Sequence, residues 1–339
     1  MAIQGLGQGV GAASPTERAD SPPPVGTALT PGKPAAPDSF AVSPHFSFWP
    51  GRGCAGEIGW LSRTGKATTD ASSQFRSLDA AAKAGKNILP TDANQYVYLF
   101  VGGIFTGLLP TDAYLGPNMG ALRAHGLDAR RVTVNTFQSS DVDSALIRDA
   151  VKKVSSETGK KIVLIGHSKG GVDCAAALSL YPELRDKVRA FVTMQSPFGG
   201  TATADDVMNI PAIKGLLGGV LQTLFNGSAA CAGDLTYQSR RAFIAAHPLP
   251  AGIPTVCMAT SSLSPLSPFF STEAYLKGRY GVKSDGMVAP VDAFLPGSRT
   301  VTIDGMDHLS TTCPDYALGL PAHPEDLTEA LIAMALTGY

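Results

Sequence analysis

A strand that ends in a glycine-flanked serine and gives way at once to a helix constrains this chain more than any other stretch. Ile162-Val163-Leu164-Ile165 is a strand-forming run that stops at Gly166, and Ser168 stands inside Gly166-His167-Ser168-Lys169-Gly170. Val172 to Leu180 continues in helix-friendly residues. A strand, a tight turn and a helix with serine at the apex hold that serine in strained backbone. Glycines two residues to either side let strand and helix approach without a Cβ clash. The turn lifts the hydroxyl above the end of the strand, where it can serve as a nucleophile. A simple helix N-cap would not require both glycines. A phosphate-binding loop places Lys before Ser/Thr after a longer glycine-spaced run, the reverse of Ser168-Lys169. The motif predicts a nucleophile elbow.

At 339 residues with 44% hydrophobic content, the chain can bury a sizeable core in one α/β domain carrying a tail and an insertion. A net charge of −1 without Lys/Arg clusters argues against a nucleic-acid partner. The longest apolar stretch, Ile210 to Phe225, is broken by Lys214, Gln222 and several glycines and does not read as a membrane span. Cys54, Cys174, Cys231, Cys257 and Cys313 show neither CxxC nor metal-ligand spacing, so no zinc site is expected. No charged start followed by an apolar stretch marks a secretory signal peptide. The expectation is cytoplasmic by default, with signal-independent secretion as the alternative.

Residues 1–44 are rich in Gly, Pro, Ala and Ser and predict a disordered N-terminal segment. Aromatic residues begin at His45-Phe46-Ser47-Phe48-Trp49, where the folded part, 45–339, is expected to start. From Tyr96 a βα alternation predicts strands at Tyr96–Val101, Arg131–Val134, the elbow, Ala190–Met194, Pro254–Ala259 and Thr300–Ile303. Helices are expected at Met119–His125 and Asp143–Glu157. This rhythm predicts a mostly parallel central sheet with helices on both faces, its ligand at the carboxyl ends of the strands. The rhythm breaks at about 205–250. Apolar, glycine-rich helices there, around Ile210 to Phe225, read either as a helical lid over the site or as ordinary core helices.

A serine hydroxyl needs a base, usually a histidine oriented by a carboxylate. His308 follows the strand Thr300–Ile303 in the loop Asp304-Gly305-Met306-Asp307-His308, which returns its imidazole over the elbow. His323 is the rival, capping a terminal helix. Asp285, in Ser284-Asp285-Gly286-Met287-Val288, is the expected acid. Asp292, Asp304 and Asp307 compete, and Asp307 adjoins the histidine too closely to reach its Nδ1. An oxyanion would need two preorganised donors. The N–H of Lys169 supplies one, and the N–H of Ile104 or Phe105 in Val101-Gly102-Gly103-Ile104-Phe105 the other.

With these residues in place, the chain resembles the bacterial triacylglycerol lipases of the α/β-hydrolase superfamily over roughly residues 95–310. The resemblance is carried by VGGIFTG, IGHSKGG, QSPFGGTATAD, SDGMV and DHLS. It implies the α/β-hydrolase fold, with Ser168, Asp285 and His308 as catalytic residues. It departs at Gly102, where that group carries an oxyanion-loop histidine, and at Ser310, where many members carry a calcium-ligating aspartate. The resemblance leaves a structural calcium without that ligand, and no cofactor is expected.

The expected activity is hydrolysis of carboxylic esters with hydrophobic acyl groups, as in a lipase or esterase, with transient contact at a lipid interface. The alternatives are a phospholipase or acyltransferase on the same scaffold, or a secreted effector or binding protein that keeps the fold without catalysis.

Overall fold

A computed structural model describes residues 53–64, 66–110, 112–135, 137–209, 229–249, 251–316 and 323–337. The predicted disordered segment 1–44, the start at His45–Trp49 and the lid helices at Ile210–Phe225 lie outside the described residues. Seven parallel strands form one sheet: β1 (Thr69–Asp70), β2 (Tyr96–Val101), β3 (Asp128–Arg131), β4 (Lys161–His167), β5 (Val188–Met194), β6 (Thr255–Ser261) and β7 (Arg299–Asp304). Their order across the sheet is β1-β7-β6-β5-β4-β2-β3. The inner strands are near-continuous apolar runs because both faces are covered. The two edges are short and carry polar or charged residues, which discourages pairing with another chain.

The helices are α1 (Trp60–Thr64), α2 (Ser72–Lys83), α3 (Gly116–Ala124), α4 (Ser140–Thr158), α5 (Lys169–Leu180), α6 (Ala202–Asn209), α7 (Ala229–Asp234), α8 (Tyr237–Ala246), α9 (Phe270–Tyr280) and α10 (Pro324–Thr337). From β2 the chain steps outward through α3 to β3, then reverses through α4 across β2 to β4. Right-handed crossovers running in opposite directions put α3 and α4 on opposite faces. Packing agrees: α4 lies against α5, and α10 against α3 and α2. The reversal between β2 and β4 is the topological switch point, where the carboxyl ends of two strands open a crevice for a ligand.

One strand sits differently from the sequence reading. Arg131–Val134 was the expectation, but β3 is Asp128–Arg131. Its only neighbour, β2, ends at Val101, so the ladder runs out after Val132 N–H meets the Phe100 carbonyl at 2.9 Å. The apolar residues Val132 and Val134 instead turn inward beyond the strand and are buried. Between β5 and β6 the described residues include the helices α6, α7 and α8 and no strand. No helix among the described residues is long and apolar enough to cross a membrane.

Candidate active site

Ser168 stands between the end of β4 and the start of α5 with φ 55 and ψ −132, a conformation few side-chain-bearing residues adopt. The close approach that this turn demands explains its glycines. A Cβ at Gly166 would stand 2.7 Å from the Gly171 nitrogen, and one at Gly170 would stand 2.6 Å from the Gly102 carbonyl oxygen. The second contact brings the loop after β2 against the elbow, across the switch point.

His308 Nε2 lies 2.8 Å from Ser168 Oγ, and His308 Nδ1 lies 2.8 Å from Asp285 Oδ2. All three side chains are buried; Ser168 alone keeps some exposure, at 6%. Asp285 Oδ1 also accepts the N–H groups of Met287 at 2.9 Å and Val288 at 2.8 Å, so both carboxylate oxygens are hydrogen-bonded. The His308 N–H donates to the Asp285 carbonyl at 2.9 Å, which ties the two residues together through the backbone as well. The positive φ of 96 at Gly286 lets the chain fold back so that these donors converge.

Ile104 opens a short 3-10 turn, Ile104–Gly107, and Lys169 opens α5. The first N–H groups of a helical turn have no acceptor within it, so both are directed outward. They are neighbours in space, since an ideal Cβ at Gly103 would lie 3.1 Å from the Lys169 nitrogen and 2.7 Å from Ser168 Cβ. The rings of Phe105 and Phe269 flank the His308 imidazole, each with its centroid 6.1 Å away, and meet one another edge-on at 5.9 Å. The surroundings of the serine are therefore apolar on the His308 side.

The rival residues lie elsewhere. Asp307 is not at Nδ1: its Oδ1 caps the N–H groups of Leu309 and Ser310, and its Oδ2 accepts from Ser267 Oγ at 2.9 Å. Asp292 accepts from the Gly59 N–H and Tyr237 Oη, each at 2.7 Å, and burial pushes its carboxyl up to about 7. Asp304 pairs with Lys283 and Ser261. The His323 carbonyl accepts the Leu327 N–H at the start of α10. Ser310 donates its hydroxyl to Asp307 Oδ1 at 2.8 Å. The described residues hold no group of three or more His, Cys, Asp or Glu arranged for a metal ion.

The sequence reading missed a buried ionic cluster behind the elbow. The Lys169 ammonium, fully buried, lies 2.7 Å from Asp143 Oδ2 on α4 and 2.8 Å from Asp173 Oδ2 one turn along α5. Burial disfavours its charge, but Asp173 and Asp143 more than offset that and hold the ammonium above the ordinary lysine range. Burial raises the Asp173 carboxyl to about 6 despite Lys169. An Asp143 at the start of a helix reads as a capping signal in sequence, and nothing local marks it as the partner of a lysine 26 residues on.

A parallel sheet with the serine elbow at its switch point, an acid after β6 and a histidine after β7 define an α/β-hydrolase fold. Solved structures that share it include the metagenomic carboxyl esterase MGS0156, with a TM-score of 0.63 and 20% identity over 79% of this chain and 92% of that one. The mature Bacillus licheniformis lipase BlEst2 aligns with a TM-score of 0.54 and 18% identity, covering 68% of this chain and 88% of its own. Lipase 1 from Pelosinus fermentans gives a TM-score of 0.53 and 15% identity over 73% and 99% of the two chains. At these identities the likeness is one of fold. No family model matches the sequence, and no curated protein matches it.

Proposed function

We propose that the protein is a serine hydrolase of carboxylic esters with hydrophobic acyl groups. The observation that carries this reading is the unbroken chain from Asp285 Oδ2 through His308 to Ser168 Oγ, with 2.8 Å at each link. A histidine with a carboxylate on Nδ1 and a serine hydroxyl on Nε2 can take the hydroxyl proton as the oxygen attacks a carbonyl carbon. The N–H groups of Ile104 and Lys169 then receive the negative charge on the former carbonyl oxygen. His308 returns the proton to the leaving alcohol, and water repeats the sequence on the acyl-enzyme with His308 again as base. Asp285 supports the imidazolium and holds its tautomer.

Two further observations bear on the substrate. The Phe105 and Phe269 rings favour an apolar acyl group beside His308. Neighbours of the same fold include a carboxyl esterase and lipases. Ser168→Ala assayed on p-nitrophenyl esters tests the reading, and activity within about tenfold of the wild type overturns it. An acyl-length series that includes phospholipids, and product analysis with an added alcohol acceptor, separates the phospholipase and acyltransferase alternatives.

A further inference from the structure

The elbow histidine that precedes the nucleophile is fully buried and takes no part in the proton transfers above. It lies in a chain of hydrogen bonds that joins the two loops on either side of Ser168. The direction of each bond follows by elimination. The Gly103 N–H can only donate, so Tyr114 Oη accepts it at 2.9 Å. His167 Nε2 faces two acceptors, the His308 carbonyl and Gln195 Oε1, each at 3.0 Å, so the ring proton sits there. Nδ1 of the neutral ring is then bare and accepts the Tyr114 hydroxyl, 2.6 Å away. Gln195 is oriented independently. Its amide nitrogen donates to the Asp307 carbonyl at 2.8 Å, and its oxygen accepts from Thr311 Oγ1 at 2.6 Å.

We propose that His167, locked as the Nε2–H tautomer between Tyr114 and the His308 carbonyl, is a positioning residue that holds the oxyanion loop and the base loop in register with the nucleophile elbow. This rests on the hydrolase reading above. The Tyr114 link fixes the Gly102–Gly103 peptide, one residue before the peptide that carries the Ile104 N–H, and the Nε2 link fixes the backbone from which the His308 imidazole hangs. A second observation points to the same place. Leu115, Ser168 and Gln195 are the non-glycine residues with positive φ among those described. They adjoin Tyr114, adjoin His167 and belong to the network, respectively. Strained backbone persists only where its surroundings over-determine it, and here the strain gathers around one set of hydrogen bonds.

His167 is also neutral, although its bonds to Gln195 and the His308 carbonyl favour the charged form. Burial, and then the neighbouring His308, lower its basicity to about 3. Its ring centroid is 4.9 Å from that of His308. A neutral neighbour adds no repulsion when His308 becomes an imidazolium, whereas a second cation at that distance would oppose it.

Three variants test the proposal. Tyr114→Phe removes the hydroxyl but keeps the ring that meets His167 edge-on at 5.5 Å. His167→Gln keeps a donor where Nε2 stands and loses the acceptor at Nδ1, and the double variant breaks the same link twice. Turnover of p-nitrophenyl butyrate is measured per site titrated with a fluorophosphonate, so that loss of folded protein drops out of the comparison. Tyr114→Phe and His167→Gln should each lower kcat by about tenfold with KM within about twofold, and the double variant should be no slower than the slower single. A kcat within about twofold for both singles, or effects that multiply in the double, overturns the proposal. If one histidine variant fails to fold, Tyr114→Phe decides alone by the same kcat and KM criterion. Ser168→Ala run alongside separates the two readings. Persistent activity there removes both, whereas an inactive Ser168→Ala beside an unaffected Tyr114→Phe removes this one alone.

Discussion

Replacing Gly103 by alanine adds one methyl group at the point where the oxyanion loop meets the elbow. Gly103 is extended, with φ −88 and ψ −157, so alanine meets no conformational penalty of its own. The conflict is purely steric. The new Cβ would stand 2.7 Å from Ser168 Cβ, 3.0 Å from the His167 carbonyl oxygen and 3.1 Å from the Lys169 nitrogen. Because comfortable contact between such atoms begins near 3.4 Å, the loop must retreat by about 0.7 Å. None of these neighbours is the end of a flexible side chain, so the elbow cannot move aside instead. A shift of that size in a donor aimed at a developing oxyanion costs about 100-fold in kcat, or about 2.7 kcal/mol of transition-state stabilisation. The assay is steady-state hydrolysis of p-nitrophenyl butyrate, with denaturant unfolding to establish that the variant is folded. A folded Gly103→Ala enzyme with kcat within about threefold of the wild type would refute the assignment of the Ile104 N–H as an oxyanion donor.

Other outcomes follow from the same geometry. Asp285→Asn should keep the fold but leave His308 in the wrong tautomer, lowering kcat by about 10³- to 10⁴-fold on the same ester; a loss below about tenfold would reassign the acid. Lys169→Met should strand the buried Asp143 and Asp173 carboxylates and cost about 3–5 kcal/mol in urea unfolding, with part of the loss recovered when Asp143→Asn is added. The raised carboxyl of Asp292 binds a proton more tightly in the folded state than in the unfolded one, so its contribution to stability is present at low pH and is lost as pH rises through about 7. Unfolding free energy followed from pH 5 to 8 should therefore fall less steeply, by up to about 1.4 kcal/mol per pH unit, in Asp292→Asn than in the wild type. Parallel curves would contradict it.

Much of the sheet was legible because its central strands β2, β4 and β5 are largely apolar on both faces. Tyr96–Val101 was read with the bounds it has, and the other inner strands within two or three residues at either end. The edges were not. Asp128-Ala129-Arg130-Arg131 carries three charged residues, and only its single partner strand makes it β. β1 is two exposed residues that pair with β7 across most of the chain's length. The helix α9 was also missed. It carries Glu273, Tyr275 and Tyr280 on buried positions, so its inner face is polar or aromatic rather than an aliphatic stripe.

The strand–turn–helix around Ser168 was written in local sequence, because strand, glycine, serine, glycine and helix are a matter of backbone sterics within about ten residues. The order of Ser168, Asp285 and His308 along the chain could be read too. What required the tertiary structure was everything that depends on distance through space. Asp285 reaches His308 across 23 residues and His308 reaches Ser168 across 140, and both depend on the register of β4, β6 and β7. Tyr114 carries no signal in sequence, and Gln195, although it opens the QSPFGGTATAD segment, carries none that points to His167. Only the folded sheet brings them to either side of His167, and only their combined donors and acceptors decide which nitrogen of that ring holds its proton.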